Sequence, residues 1–443
     1  MDVTDLKTKL NYDMTGRAMH DLVTRLYPIC RSITGNGVRE TLRIIGQQIP
    51  LRMREVPTGA KVLDWEVPKE WNIREAWIRD SGGRMVVDFA AHNLHVLNCS
   101  VPVKARMSLE ELRPHLHSLP NQPELIPYRT SYYNETWGFC LTHRKLISLA
   151  EGEYEVFIDS SLTHGSLSYG ECFLQGDTDE EFLITAHICH PSLANDNLSA
   201  VVTATFLARY LSEPKRRYSY RILFIPGTIG AITWLAQNEA HVHRVKHGLV
   251  LAGLGNKGPL VYKQSRRGDA VIDRAMLQAL QESGVPFEVR EFSPYGYDER
   301  QFCSPGFNLP VGRLGRTPHG EYPEYHTSAD NLEFVKPDSM ADALRQLFAV
   351  VEIVEGNRAY VNRLPKGEPQ LGRRGLYHEI GGAPDAHQRE LAMLWVLNYS
   401  DGDHDLIDIA ERSGLPFGTI RDTAELLHAK GLLGYPHPED IDE

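Results

Sequence analysis

The chain has 443 residues, of which 42% are hydrophobic and 24% are charged, and its formal net charge is −11. This length accommodates two or three domains, and the negative charge argues against nucleic acid as the main ligand. No apolar run approaches the roughly 20 residues that span a bilayer, and the first residues lack the apolar core of a signal peptide. The six cysteines are scattered without a C-x-x-C pair, so we expect free thiols in a cytoplasmic protein without a membrane segment.

The first third of the chain changes from helical to β character. Apolar residues at helical spacing predict two helices over residues 14–50, on either side of a Gly-Asn-Gly turn. Short alternating runs between turn residues predict β structure from about residue 60 to 145. The stretch 130–139 in this region contains Tyr132 and Trp137. It is interpreted either as a loop over a site or as a surface hairpin with core aromatic rings.

The remainder of the chain predicts two further regions. Strands and helices alternate from Tyr154 to about residue 355, which predicts an α/β sheet domain. Residues 356–384 hold six glycines and three prolines without a clear period, and they predict a linker. Residues 385–437 then predict three helices and the start of a wing, similar to a winged helix–turn–helix. Its third helix has mixed charge, which favours a structural or dimer-forming role over DNA binding.

The stretch Phe182–Ala200, FLITAHICHPSLANDNLSA, combines a short apolar strand, a polar loop and a helix start. His187, His190 and Asp196 lie in this loop, and sites in open α/β sheets form outside the carboxyl ends of strands. Neutral imidazole and carboxylate are both good zinc ligands. The alternative is structural, with the histidines ending the strand and Asp196 capping the helix that begins near Leu198.

A second polar stretch, EYHTSADN at residues 324–331, precedes a later helical segment. Together with the motifs TAHICHPSLANDNLSA, SRRGD and YGYDERQFCSPGFNLPVGRL, it makes the chain resemble the di-zinc aminopeptidase family. More closely, the chain resembles bacterial aminopeptidase-like proteins that are often linked to polysaccharide or natural-product gene clusters. The resemblance implies a mixed α/β sheet flanked by helices over residues 1–59 and 146–355. It also implies an inserted β domain at 60–145, a linker at 356–384 and a winged-helix domain at 385–443.

The resemblance carries three metal ligands onto this chain. The first metal-binding histidine falls on His187, the aspartate that bridges two metals falls on Asp196, and the late histidine falls on His326. The Asp196–Asn197 bond is expected to be cis, as in the family. Near Ala252, where the family has another aspartate ligand, there is no carboxylate. We therefore expect one zinc rather than two.

The family's paired glutamates are also absent. One of them is the general base and the other a metal ligand, and they correspond here to Gly227 and Thr228. A glycine cannot accept a proton, so another base is needed if the protein is a hydrolase. Asp298, Glu299 and Glu324 are the candidates. The alternative for the Asp298-Glu299 pair is an exposed charged turn.

Substrate-binding candidates follow from side-chain chemistry. Arg266, Arg267 and Arg300 are candidate clamps for a carboxylate or phosphate, because guanidinium binds such groups with two parallel hydrogen bonds. Tyr132 and Trp137 are candidates on the aromatic stretch. Cys189 replaces the carboxylate that orients the metal-binding histidine in the family. It is interpreted as a small core residue, with a weak orienting role as the alternative.

Two functions follow from this reading. The first is a zinc-dependent amide or peptide hydrolase that acts on a small aminoacyl or peptidyl substrate, in natural-product or polysaccharide biosynthesis. The second is a non-hydrolytic metal-binding protein that binds a small molecule or assembles with partners. In both cases we expect a homo-oligomer that binds neither membranes nor nucleic acid. Activity of the Gly227 form compared with a Gly227→Glu form discriminates between them.

Overall fold

The structure of the protein is a computed structural model that describes residues 10–376 and 386–436. The chain divides into two compact units. The first unit contains the described residues up to Ala270 together with Pro286–Leu347, and the second contains Val271–Val285 together with the described residues from Phe348 onward.

The strands of the described residues are, in chain order, β1 (Leu51–Pro57), β2 (Lys61–Val62), β3 (Trp65–Glu66), β4 (Glu70–Asp80), β5 (Met85–Asp88), β6 (Val103–Ser108), β7 (Leu116–His117), β8 (Phe139–Cys140), β9 (Glu153–Thr163), β10 (Ser166–Leu174), β11 (Glu181–His187), β12 (Ser219–Ile225), β13 (Val245–Ala252), β14 (Leu260–Lys263), β15 (Phe287–Arg290), β16 (Val311–Arg316), β17 (Ala359–Asn362), β18 (Asp401–Asp405) and β19 (Leu433–Gly434).

The α-helices of the same residues are α1 (Tyr12–Leu26), α2 (Asn36–Ile45), α3 (Leu109–Leu112), α4 (His143–Ile147), α5 (Ala200–Leu211), α6 (Ile229–Asn238), α7 (Val271–Ser283), α8 (Glu299–Phe302), α9 (Pro337–Gly356), α10 (Ala386–Tyr399), α11 (Leu406–Ser413) and α12 (Phe417–Ala429).

The large sheet of the first unit has eight strands in the order β1-β10-β12-β11-β13-β16-β14-β15. The neighbouring strands β12, β11, β13 and β16 are parallel, so their carboxyl ends meet at one edge. Every residue of β11 is buried, as expected for a parallel strand that is covered on both faces. The loops that follow His187, Ile225, Ala252 and Arg316 therefore leave the sheet at the same edge. This edge is where a site is expected in such a sheet.

A smaller sheet in the first unit has the strand order β5-β4-β9-β6. Its apolar face packs on a cluster of buried side chains that includes Ala76, Ile78 and Leu109. Strand β9, at Glu153–Thr163, pairs along its length with β4 and β6. The inserted β structure therefore extends beyond the predicted boundary at residue 145. Strand β9 follows the predicted segment 60–145 in the chain, but it pairs with strands β4 and β6 inside that segment. Its local sequence pattern does not show this pairing.

The second unit contains α7, α10, α11 and α12 and the three-stranded sheet β18-β17-β19. Helix α11 begins with a capping box formed by Asp405 and Asp408 and ends at Gly414, whose φ is 67°. Arg274 of α7 forms ion pairs with both carboxylates. Strand β17 lies in the segment predicted as a linker, so that prediction is wrong for residues 359–362. The local pattern of these residues indicates a linker, because the strands with which they pair lie about 40 and 70 residues further along the chain. Residues 377–385 and 437–443 lie outside the described residues.

Two further expectations concern the described residues as a whole. All six cysteines are free thiols, and five of them are buried. Among the described residues, no helix combines the length and apolar character that a membrane crossing requires.

Candidate metal centre

Three side chains from two loops meet at the carboxyl edge of the large sheet. Nε2 of His187 lies 2.8 Å from Oδ1 of Asp196, and Nε2 of His326 lies 3.0 Å from Oδ2. Asp196 is fully buried. Burial opposes its ionisation, but the electrostatic effect of the neighbouring His190 ring and the hydrogen bonds from His187 and His326 hold the pKa of this carboxyl well below its usual range. The structure thus brings the three predicted ligands together around one carboxylate.

A third imidazole joins this group. Nδ1 of His190 lies 3.9 Å from Oδ2 of Asp196, is buried and has no hydrogen-bond partner. Burial lowers the pKa of His190 to about 3, so its ring is neutral and has a free lone pair at neutral pH. Donor atoms of His187, His190 and Asp196 all lie within 4.8 Å of one another. The position of His190, three residues after His187, is a sequence signal for a metal ligand. His190 was nevertheless not among the three predicted ligands.

Asn197 contacts the ring of His187 at Nδ1, away from Asp196. Oδ1 of Asn197 accepts from the amide of Gly253 at 3.0 Å, and Nδ2 donates to the carbonyl of Leu251 at 3.1 Å. These bonds place Nδ2 3.1 Å from Nδ1 of His187. The Asp196–Asn197 peptide bond is cis, as the resemblance implied. Asn197 therefore positions the imidazole, a role for which the sequence had suggested only Cys189.

Tyrosine rings enclose the three imidazoles. Tyr297 stacks on His187 at 5.1 Å and Tyr325 stacks on His326 at 3.9 Å between ring centroids. Tyr128 meets both His190 and His326 edge-on, at 5.1 and 5.0 Å. Such contacts restrict ring rotation and exclude water. No local sequence signal identified these tyrosines, because their positions depend on segments distant in the chain.

There is space for a side chain at Gly227, the position of the general base in the family. A Cβ at Gly227 would lie 3.4 Å from Sγ of Cys189 and 3.8 Å from Cβ of His187, which are ordinary contact distances. The Gly227 amide donates to Sγ of Cys189 at 3.2 Å, and Cys189 belongs to the buried core. Cys189 thus supports the loop after β12, and the loop has room for a side chain directed beside His187.

Asp298 is the candidate base that the structure places near this loop. Its Oδ1 accepts from the amide of Thr228 at 2.7 Å, and only 3% of Asp298 is exposed. Burial raises its pKa to about 6, against the opposing effects of the His187 charge and the Thr228 hydrogen bond. The alternative of an exposed charged turn is therefore wrong. A buried carboxyl with this pKa is suited to hold and release a proton near neutral pH.

The other two candidate bases occupy different surroundings. Glu299 is fully buried and its Oε1 lies 2.5 Å from Nζ of Lys263, so its charge is already used in an ion pair. Glu324 is partly exposed. Its backbone carbonyl accepts from both the amide and the hydroxyl of Thr327, which fixes the loop that carries His326. Neither of these contacts involves the loop after β12, to which Asp298 is hydrogen-bonded.

The predicted arginine clamps separate into two groups. Arg266 and Arg267 are exposed, and their guanidinium groups bind Asn308 rather than any metal-site side chain. Nε of Arg300 is buried without a partner, and its charge acts on Asp298. Arg300 is thus the one of the three that the structure relates to the site.

The aromatic stretch divides in a similar way. Trp137 stacks on His115 with centroids 3.7 Å apart and packs on the core of the smaller sheet. Tyr132 is half exposed, and the charge of Asp196 contributes, after burial, to raising the pKa of its phenol to about 12. Both aromatic residues line a cavity of about 650 Å³, and Trp137 also packs on the β core.

Comparisons with known proteins describe nearly the whole chain. Residues 20–357 match the family described as a domain of unknown function, DUF4910, and residues 358–435 match a winged helix-turn-helix family. The chain is 51% identical over 423 residues to a Clostridium acetobutylicum protein whose name refers to polysaccharide biosynthesis and an aminopeptidase-like domain. That match covers 96% of this chain and 97% of the relative.

Solved structures agree with these matches. A Clostridium acetobutylicum crystal structure, named as a peptidase, is similar with a TM-score of 0.91 and 49% identity over 96% of this chain and 97% of that one. A zinc aminopeptidase from Bacillus subtilis is similar with a TM-score of 0.58 over 77% of this chain and 95% of that one. Its 11% identity shows a shared fold alone.

Proposed function

This chain belongs to the DUF4910 family of aminopeptidase-like proteins with a C-terminal winged helix-turn-helix domain, and we propose that it is a zinc-dependent hydrolase of amide bonds. The observation that carries the proposal is the convergence of three imidazoles on the buried carboxylate of Asp196. Small aminoacyl or peptidyl compounds are the proposed substrates, and the name of the Clostridium acetobutylicum relative supports a role in polysaccharide biosynthesis.

The donor set fits one zinc ion. Neutral imidazole nitrogens and a carboxylate are the ligands that zinc takes in catalytic sites, which have three protein ligands and an open position. His187, Asp196 and His326 would hold the ion, and the unpartnered Nδ1 of His190 is a fourth donor. A bound zinc supplies Lewis acidity toward an amide carbonyl and a water.

Asp298 would take the proton of the attacking water. It lies against the loop of Gly227, where the family resemblance places the general base, and it holds that loop through the Thr228 amide. Because its pKa is raised to about 6, the carboxylate is ionised at neutral pH and can be protonated during turnover. Asn197 and Tyr297 keep the His187 ring in place during this transfer.

Hydrolysis of aminoacyl p-nitroanilides by the zinc-loaded protein tests the proposal. We expect Asp298→Asn to lower kcat by about 100-fold or more, because general bases contribute rate factors of that order. Asp179→Asn, a substitution at an exposed position, is the matched control and is expected to keep full activity. Equal rates for wild type and Asp298→Asn would contradict the assigned role.

The second candidate function is a non-hydrolytic metal-binding protein. The absence of an ionisable group at Gly227 and Thr228 favours it. The room beside Gly227 allows a direct comparison, because Gly227→Glu places a carboxylate there without a steric clash at Cβ. Activity in Gly227→Glu together with none in the natural form would establish this second function.

The winged-helix domain is proposed to support self-association rather than DNA binding. Arg421, on the third helix of this domain, forms ion pairs with Glu352 and Asp422. A guanidinium that is already neutralised contributes little to phosphate contacts. The proposed homo-oligomer is tested by the light-scattering mass of the full chain, and a monomeric mass at micromolar concentration would exclude it.

A further inference from the structure

A small pocket at the carboxyl end of β16 lies next to the metal centre but is not part of it. Its lining includes Tyr297, Arg313 and His319. The ring of Tyr297 contacts His187 at 5.1 Å and His319 at 4.9 Å between centroids. A single tyrosine ring therefore connects the pocket with a predicted metal ligand.

A second aromatic connection leads to the same pocket. Tyr325 contacts His319 at 6.1 Å and stacks on His326 at 3.9 Å. The charge of Asp196 also acts on His319. A group bound in the pocket would thus lie one aromatic ring from the centre where His187 and His326 meet, a separation that one small molecule can span.

Two arginines line the pocket, and Arg316 forms an ion pair with Asp342 whereas Arg313 forms none among the described residues. Arg313 is 3% exposed, and its guanidinium lies over the ring of Tyr297 at 5.5 Å. Its NH1 group lies 3.3 Å from Nδ1 of His319, and its Nε is buried without a partner.

Within residues 10–376 and 386–436, no carboxylate forms an ion pair with Arg313. The carboxylate of Glu321 acts on Arg313 only through space, without an ion pair. A buried cation without an ion-pair partner is costly, and a bound anion would offset this cost.

His319 adds a second donor to the pocket. Because the guanidinium can only donate, Nδ1 of His319 accepts from Arg313, and the proton of the neutral ring lies on Nε2. This Nε2 is buried and has no partner. Burial lowers the pKa of His319, with the charge of Arg313 acting in the same direction. Arg313 and His319 thus each contribute a buried N–H group without a hydrogen-bond partner among the described residues.

We propose that Arg313 and His319 bind a carboxylate of the substrate. The pocket has a volume of about 10 Å³, which is room for about one water and hence for one carboxylate oxygen, but not for a phosphate group. The assignment rests on the proposed amide hydrolysis, because the carboxylate must belong to the molecule whose amide reaches His187. Dipeptides and N-acyl amino acids with a free carboxylate are the substrate class.

Titration calorimetry with N-acetylalanine and N-acetylalaninamide tests the pocket without requiring turnover. We expect the acid to bind about tenfold more tightly than the amide or better, the effect of a charge-assisted hydrogen bond. Arg313→Gln and His319→Gln should each reduce this preference, and His319→Gln provides the answer if the Arg313 variant does not fold. Arg74→Gln, which removes an exposed arginine of the smaller sheet, is the control and should keep it.

Equal affinity for the acid and the amide, including no binding of either, overturns the carboxylate pocket. Inorganic phosphate that binds more tightly than N-acetylalanine overturns it as well. Hydrolysis of Ala-Ala and Ala-Ala-amide by the zinc-loaded protein separates the two proposals. If the protein binds the acid more tightly than the amide but hydrolyses neither dipeptide compound, the proposed hydrolase is refuted and the carboxylate pocket is not. If it hydrolyses both compounds with equal KM, only the carboxylate pocket is refuted.

Discussion

The loops that follow the neighbouring parallel strands β11 and β12 reach the same edge of the sheet with different contents. The loop after β11 carries His190 and Asp196 and closes a group of donors within 4.8 Å. The loop after β12 carries Gly227 and Thr228 and has no ionisable side chain. In the proposed function, metal binding and proton transfer therefore depend on separate segments of the chain. The loop after β11 would hold the metal, whereas the loop after β12 would need the carboxylate of Asp298 from elsewhere in the chain.

The loop after β12 is nevertheless held in a defined shape. Thr228 has φ 61° and ψ −69°, a region that a β-branched residue rarely adopts. The hydrogen bond that its backbone amide donates to Oδ1 of Asp298 supports this conformation. Backbone strain of this kind persists only where the surroundings determine it, and it is common at functional sites. The loop without a base is thus still organised around a carboxylate.

The largest expected effect is the loss of zinc when one of the three predicted ligands is removed. His187→Ala, Asp196→Ala and His326→Ala should each abolish zinc retention while the fold survives, because each removes one of the three converging donors. Metal content after dialysis and far-UV circular dichroism are the measurements. Asp179→Asn should retain about one zinc per chain. Full zinc content in any of the three alanine variants would show that its residue is not a ligand.

The next effect concerns the pH profile of the loop after β12. Asp298 must be ionised to accept a proton, and its pKa is raised to about 6. We therefore expect kcat to fall about tenfold per pH unit below pH 6 and to level above it. Gly227→Glu supplies a second carboxylate and should extend activity to lower pH. A profile that stays flat between pH 5 and 7 would exclude Asp298 as the base.

A smaller effect is expected on stability. The pKa of Asp298 is raised to about 6 in the folded state and is about 3.9 when unfolded, so the folded chain binds the proton more tightly. Stability from this group is therefore present below pH 4 and is lost as the pH rises through 6. Asp298→Asn should raise the unfolding free energy by about 3 kcal/mol at pH 7.5.

Urea unfolding of wild type and Asp298→Asn at pH 4 and pH 7.5 measures this difference. The difference in midpoint should be much smaller at pH 4, because the wild-type carboxyl is protonated in the folded state there and about half protonated in the unfolded state. Asp179→Asn serves as the exposed control at both values. The same midpoint shift at both pH values would mean that the substitution acts through packing and not through ionisation.

The smallest effect lies in the winged-helix domain. Arg421→Gln should leave binding to duplex DNA unchanged, because its guanidinium already pairs with Glu352 and Asp422. Fluorescence anisotropy with a labelled duplex at two salt concentrations is the measurement. Tight, salt-sensitive binding that the substitution weakens would assign the domain to DNA.

Much of the fold could be read from local patterns. The alternation of strands and helices predicted the α/β class, and the helical periods near the C-terminus predicted the winged helix. The comparisons confirm both. The strand memberships of β9 and β17 were missed, because strand pairing joins segments that are not adjacent, and a short apolar run does not specify its partner.

The sequence by itself determined which chemical groups this protein has. The spacing of His187 and Asp196 in one loop, and the glycine at position 227, can be read without coordinates. Tertiary structure alone decided which groups meet and which are buried. His326 reaches Asp196 across 130 residues. Asp298, for which an exposed turn was the alternative, is a buried carboxyl, and Arg313 is buried without an ion pair among the described residues. Ligand type is a property of the residue, but pKa and pairing depend on distance and dielectric, which only packing sets.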